Sequence, residues 1–158
     1  NEAMTFAENI IVMDAGKIVQ VGSPAELFDR PKTTFVGYFI GAPAMNFFNC
    51  QATEGNKLSI GSADILTGTD LSKVGSAPLK LGIRSEYIRI VGAKGANTFT
   101  AQVQRVEDMG NYKLVTAVFE GHVIKVKVER DIMVPAEHVE LRLPAENCCV
   151  YAADVLVS

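Results

Sequence analysis

Apolar and polar residues alternate with a period of two over most of the chain after residue 45. The clearest example is His122–Glu129, where the aliphatic residues Ile124, Val126 and Val128 alternate with Lys125, Lys127 and Glu129. A period of two is typical of a β-strand that buries one face and exposes the other. The pattern therefore predicts a strand whose three aliphatic side chains point into a core.

Several other segments predict strands of the same kind. They are residues 79–83, 87–91, 99–103, 112–119 and 139–143. Glu120-Gly121 predicts a tight hairpin turn between two of the strands. Val106 falls on the opposite parity from Val103, which predicts a β-bulge near Arg105. Short strands at this spacing, with glycine-rich turns, predict a mainly β fold, a small barrel or sandwich.

The first forty residues follow a different pattern. An apolar run over residues 9–14 ends in a turn signal, and a second short run covers residues 18–21, so the two predict a hairpin. Ser23 then precedes Pro24 and stands three residues before Glu26, which is the spacing of a helix capping box. A helix follows there, and a second one is predicted over residues 34–40.

Composition narrows the possible functions. The chain has 158 residues, of which 48% are hydrophobic and 21% charged, with a formal net charge of −3. This balance is that of a globular protein, and the acidic charge argues against a nucleic-acid partner. The sequence shows no apolar run long enough to span a bilayer, and its first residues do not have the pattern expected of a signal peptide. Because the first residue is Asn, we expect the chain to be part of a longer protein.

Few residues are candidates for catalysis or for binding a metal or nucleotide. The run that ends at Asp14 is similar to a Walker B strand, but the sequence has no phosphate-binding loop, so a simple hairpin is favoured. His122 and His138 lack metal-ligand spacing. Cys148 and Cys149 are adjacent, so in a strand their thiols would point to opposite faces. We expect no catalytic residue, metal or cofactor in this chain, and we expect its cysteines to be reduced, as in the cytoplasm.

Two groups of residues are candidates for an interface or a regulatory contact. The first is Arg84 and Glu86, which follow an apolar strand; they either contact a partner or form a local ion pair at a corner. The second is the aromatic set Phe35, Phe39 and Phe47. Core packing is the ordinary role of such aromatic residues, and contact with a neighbouring domain is the alternative.

The order of several motifs resembles one known family. Residues 2–10 are similar to the segment after the switch histidine of ABC-transporter ATPase subunits, and residues 11–24 to the hairpin and helix start that close that ATPase domain. Residues 26–31 and 39–47 resemble the junction into the C-terminal domain of importers for sugars, including the maltose and glycerol-3-phosphate types. Residues 82–86 resemble the family motif Gly-Ile-Arg-Pro-Glu, with Ser85 in place of proline.

The resemblance implies a division of the chain at residue 42. Residues 1–42 would be the end of the ATPase domain, and residues 43–158 an OB-like regulatory domain, the transport-associated OB (TOBE) domain. The whole subunit would bind ATP and magnesium, dimerise, and work with membrane permease subunits on the cytoplasmic face of the membrane. A regulatory protein is a further expected partner. The nucleotide-binding motifs have no counterpart in this chain, so we expect it to lack ATPase activity.

Two other functions are alternatives to this interpretation. A free-standing OB-like module that senses a small oxyanion or sugar is the main alternative, with Ser72, Lys73 and Ser76 as weak anion-binding candidates. Oligonucleotide binding needs a basic groove with stacking aromatic residues. The net charge of −3 and the absence of tryptophan argue against it.

Overall fold

The computed structural model describes residues 9–157 and is built mainly from short antiparallel strands. Its strands are β1 Ile10–Asp14, β2 Lys17–Gly22, β3 Asn46–Thr53, β4 Lys57–Ile60, β5 Ala63–Ile65, β6 Leu79–Ile83, β7 Arg89–Val91, β8 Thr98–Asp108, β9 Tyr112–Phe119, β10 His122–Glu129, β11 His138–Arg142, β12 Cys149–Ala152 and β13 Val155–Leu156. The helices are α1 Pro24–Asp29, α2 Thr34–Phe39 and the single 3-10 turn Ala145–Asn147.

Two curved sheets enclose the main core. One has the order β13-β12-β6-β3-β4-β5, and the other has the order β10-β9-β8-β11-β7. Their inward faces supply fully buried side chains such as Leu81 from the first sheet and Val126 from the second. The Asn46 side chain helps to close the barrel, because it bonds both the N–H and the C=O of Lys125 on the edge of β10. The predicted small barrel is therefore present.

The predicted hairpin of β9 and β10 is confirmed in register as well as in extent. Phe119 pairs with His122, and the two turn residues Glu120 and Gly121 both have positive φ, at 44° and 84°. Positive φ at both positions is the geometry of the tight hairpin turn that matches strand twist. The predicted bulge is also confirmed, since the register of β8 against β9 shifts between Val103 and Arg105.

One strand and one helix are shorter than predicted. The strand expected over residues 87–91 begins at Arg89, because Tyr87 closes a turn by donating its N–H to the Arg84 carbonyl at 3.0 Å. The helix expected over residues 34–40 ends at Phe39, and Ile40 is its C-cap with extended backbone. Gly41 then has φ of +96°, a conformation that favours glycine.

The N-terminal part of the chain has its own small core. β1 and β2 form a separate two-stranded sheet, against which α1 and α2 pack. This core consists of Ile10, Val12, Leu27, Val36 and Ile40. The capping box is confirmed, because Ser23 and Glu26 each accept a bond from the other's backbone N–H at 3.3 Å. Within residues 9–157, neither helix is long and apolar enough to cross a membrane.

Candidate functional site at the junction of helices and barrel

Arg84 lies where the helical segment meets the barrel. It follows β6 directly, and only 1% of its surface is exposed. Its Nε donates to the Phe28 carbonyl at 2.9 Å, and its Nη1 donates to the carbonyls of Gly37 at 3.1 Å and Ile40 at 2.6 Å. One side chain of the barrel therefore binds three main-chain oxygens at the ends of α1 and α2. We call this region the junction.

The charge of Arg84 suits this position. The last carbonyls of a helix lack partners inside the helix and carry partial negative charge, which a cation stabilises. The Phe28 ring adds a cation–π contact, with the guanidinium carbon 4.3 Å from the ring centroid. Burial lowers the pKa of Arg84, and the nearby Glu86 acts in the opposite direction.

The local ion pair between Arg84 and Glu86, one of the two alternatives from the sequence, is not formed. Among residues 9–157, no carboxylate lies within ion-pair distance of Arg84, and its Nη2 has no hydrogen-bond partner. Glu86 itself is exposed. The corner is fixed instead through the main chain, since the Ser85 carbonyl accepts the N–H of Lys127 at 3.0 Å.

Further contacts from β12 and β13 hold the same junction. The buried Tyr151 hydroxyl donates to the Pro31 carbonyl at 2.7 Å. Thr34 donates its N–H to the Asp154 carbonyl at 3.1 Å and its hydroxyl to the Asp154 carboxylate at 3.0 Å. These residues are separated by about 120 positions in sequence, so the contacts form only when the last strands of the chain pack against the helical segment.

The three aromatic candidates occupy different surroundings. Phe47 lies at the junction, where its ring meets Tyr151 edge-on at 5.6 Å and Tyr38 at 4.7 Å. Phe35 and Phe39 stack on each other at 5.8 Å, and Phe39 is 66% exposed. Arg84 and Phe47 therefore both lie at the junction, whereas Phe39 faces solvent. The interface role predicted for all five candidate residues stays a prediction.

Glycines that the sequence analysis did not treat as site residues shape the junction. A Cβ on Gly41 would lie 2.9 Å from Arg84 Nη1, and a Cβ on Gly37 would lie 2.7 Å from Phe47 Cζ. A Cβ on Gly82 would lie 2.7 Å from Met45 Sδ. A glycine inside a strand often marks such a close approach. Of these three glycines, Gly82 lies in a strand, so its position could have indicated the close contact from sequence.

The thiols and histidines do not form a metal-binding group in the part of the chain that the structure describes. Among residues 9–157, no three His, Cys, Asp or Glu side chains are grouped to hold a metal ion. All three cysteines are free and buried. Burial raises the pKa of Cys50 and of Cys148 to about 12. Cys148 faces the main core and Cys149, the first residue of β12, faces the junction. Cys148 precedes the strand but has extended backbone, so the two thiols point to opposite sides as expected.

Comparison with known proteins identifies the family. Residues 81–150 match the TOBE domain family. The sn-glycerol-3-phosphate import ATP-binding protein UgpC of Chromobacterium violaceum is 34% identical over 97% of this chain and 42% of its own length. The Vibrio cholerae UgpC is 38% identical over 86% of this chain and 35% of its own length. The chain contains a TOBE domain. It is similar to the ATP-binding proteins of sn-glycerol-3-phosphate importers. The family resemblance drawn from the motifs is confirmed.

Arg84 lies inside the TOBE match, whereas the oxygens that it binds lie before the match begins. The matched region begins with Leu81 in β6, and the bound oxygens belong to residues 28, 37 and 40. The relatives extend well beyond the aligned part, since this chain spans less than half of their length. The segment 2–10, part of the motif resemblance, lies largely outside the described residues.

A solved structure confirms the fold of the TOBE barrel. The cytoplasmic molybdate-binding protein ModG, with molybdate bound, superposes with a TM-score of 0.53 over 72% of this chain and 98% of its own. The two sequences are only 13% identical, so the likeness concerns the fold alone. The expected OB-like architecture is confirmed.

Proposed function

We propose that this chain is the regulatory and dimerisation part of the ATP-binding subunit of an ABC importer for sugars or related solutes. The OB-like barrel, residues 43–158, would be the regulatory domain, and residues 1–42 would complete the ATPase domain. The longer subunit would bind ATP and magnesium and work as a homodimer with membrane permease subunits at the cytoplasmic face. A regulatory protein would act on the barrel.

The main support for this proposal is the set of three hydrogen bonds that Arg84 makes to the ends of α1 and α2. A regulatory domain influences an ATPase only if the two parts move together. Arg84 belongs to the TOBE match, and its three bonds reach main-chain oxygens of the segment that resembles the ATPase end. A buried, multiply bonded guanidinium resists displacement, so a shift of the barrel would be transmitted directly to α1 and α2.

The outer face of the β1–β2 hairpin supports the assignment of residues 1–42. The pairs Ile11–Val21 and Met13–Ile18 lie on one face of the hairpin, and each of the four side chains is at least half exposed. The opposite face buries Ile10 and Val12 against the helices. A continuous exposed apolar face is typical of a surface that contacts another domain, which the remainder of the ATPase domain would supply.

The full-length subunit tests the proposal with Arg84→Gln and the control Arg142→Gln, an exposed residue at the end of β11. We expect the purified Arg84→Gln subunit to keep ATP turnover within about twofold, because the nucleotide site lies outside this region. Solute uptake by the assembled transporter should fall, and the control should match the unsubstituted protein. Unchanged uptake in Arg84→Gln would contradict the proposal.

The chain itself tests two further parts of the proposal. We expect the purified 158-residue chain to hydrolyse no ATP and to form dimers at high micromolar concentration. ATP turnover that follows the chain through purification would contradict the first expectation. Light scattering that shows only the 17.0 kDa monomer would contradict the second.

A second candidate function is small-ligand sensing. The molybdate-binding protein ModG shares almost its entire fold with this barrel. The Ser72 hydroxyl donates to Asp70 at 2.7 Å, so that serine is already engaged and is a weak anion contact. Calorimetry of the chain with molybdate and with D-glucose tests the sensing function, and the absence of heat with both would exclude it.

A further inference from the structure

We infer that a cleft at one end of the barrel is a binding site for a small polyhydroxylated molecule, a polyol or monosaccharide. The cleft has a volume of about 300 Å³ and lies between the start of β5, the loop before β8, and the strands β8 and β11. Its lining residues are Ser62, Ala63, Lys94, Thr98, Phe99, Thr100, Phe119 and Glu140. The junction contributes no residue to it.

Glu140 supplies the main polar group of this cleft. Its Oε1 accepts the Thr100 hydroxyl at 2.6 Å. Its Oε2 is buried and has no donor. An unpaired buried carboxylate oxygen is costly, and such a group in a native protein calls for an explanation, such as a functional role or a bound partner. A ligand hydroxyl is a donor of the required kind.

Lys94 provides a donor to the same cleft. Among residues 9–157, no hydrogen bond or ion pair engages its ammonium group, although it lines the same cleft as Glu140. A carboxylate acceptor and an ammonium donor together match a hydroxyl group, which both donates and accepts. The two opposite charges also leave the cleft without a net preference for an anion.

Aromatic and hydroxyl groups complete the lining. Phe99 and Phe119, whose ring centroids lie 4.4 Å apart, are largely buried in the core and line the cleft at their edge. The hydroxyls of Ser62 and Thr98 are fixed by bonds to Glu120 and to the Gly95 carbonyl, respectively. A few polar groups at fixed positions beside apolar rings are typical of small-molecule sites. This combination fits the mixed apolar and hydroxyl faces of a polyol or sugar ring.

This inference rests on the second candidate function and assigns its ligand class and site. The test is a titration of the isotope-labelled 158-residue chain with glycerol, D-glucose and molybdate, followed by amide NMR shifts. We expect glycerol or D-glucose to shift the amides of the cleft, and molybdate to leave them unchanged. Shifts with molybdate alone would overturn the polyol assignment but keep sensing, and no shift with any probe would overturn both.

The substitution Glu140→Gln tests whether Glu140 binds the ligand or only stabilises the fold. The amide keeps the acceptor for Thr100 but replaces the free Oε2 by a donor, so affinity for the polyol should fall about tenfold. The melting temperature should not fall, because the substitution removes an unpaired buried carboxylate. Glu137→Gln, an exposed neighbour outside the cleft, should bind normally. A lower melting temperature with unchanged affinity would assign Glu140 a structural role and overturn the inference.

Discussion

Replacement of Arg84 by methionine should destabilise the whole chain. Methionine keeps much of the side-chain length but removes all three bonds, to the carbonyls of Phe28, Gly37 and Ile40 at 2.6–3.1 Å. A hydrogen bond to a charged group contributes about 1.5–3 kcal/mol, and such contributions are not additive within one network. The Gly37 carbonyl also keeps a bond from the Met45 N–H. We therefore expect a loss of about 3–5 kcal/mol.

Urea unfolding followed by far-ultraviolet circular dichroism measures this loss. A fall of that size is a large share of the stability of an ordinary domain, so the midpoint should move clearly. Arg84→Lys should lose about 2 kcal/mol, because one ammonium group does not span three separated carbonyls. Arg142→Met, at an exposed position, should change the free energy of unfolding by less than about 0.5 kcal/mol. A loss below about 1 kcal/mol for Arg84→Met would refute the reasoning.

Two more predictions use the same unfolding assay. Gly41→Ala should lose about 2–3 kcal/mol, since it combines φ of +96° with a Cβ 2.9 Å from Arg84 Nη1; Gly16→Ala, with φ of +79° and open space around it, should lose about 1 kcal/mol. Stability should fall as the pH rises above 9, because unfolded thiols then lose protons that Cys50 and Cys148 retain up to about pH 12. Serine at both cysteine positions should reduce this slope without abolishing it, because burial also raises the pKa of Cys149 and of Tyr151. A slope unchanged in the double variant would contradict the assignment to Cys50 and Cys148.

Local sequence signals predicted the parts of the fold that depend on near neighbours. The capping box of Ser23 and Glu26, the turn at Glu120-Gly121 and the strand His122–Glu129 all rest on residues close in sequence. The strands Lys57–Ile60 and Ala63–Ile65 were not singled out. Each is only three or four residues long, which is too short for alternation to be distinctive.

Sequence patterns could not predict the contacts at the junction. A motif singled out Arg84, but its partners lie 44–56 positions earlier in the chain and are main-chain oxygens, which any residue type supplies. Of the two alternatives for Arg84 and Glu86, the local ion pair is excluded for this reason, since the guanidinium binds helix ends instead. Tyr151 was likewise missed, because its bond to Pro31 spans 120 residues.

Hydrogen exchange of the unsubstituted chain tests most directly whether the helical segment and the barrel form one unit. The amides of Arg30 and Ile40 close the last turns of α1 and α2, and Val126 lies in the barrel core. If the Arg84 junction joins the two parts, all three amides should exchange with the same opening free energy, that of global unfolding. Exchange at Arg30 and Ile40 through an easier opening, with Val126 still protected, would contradict the coupling on which the proposed function depends.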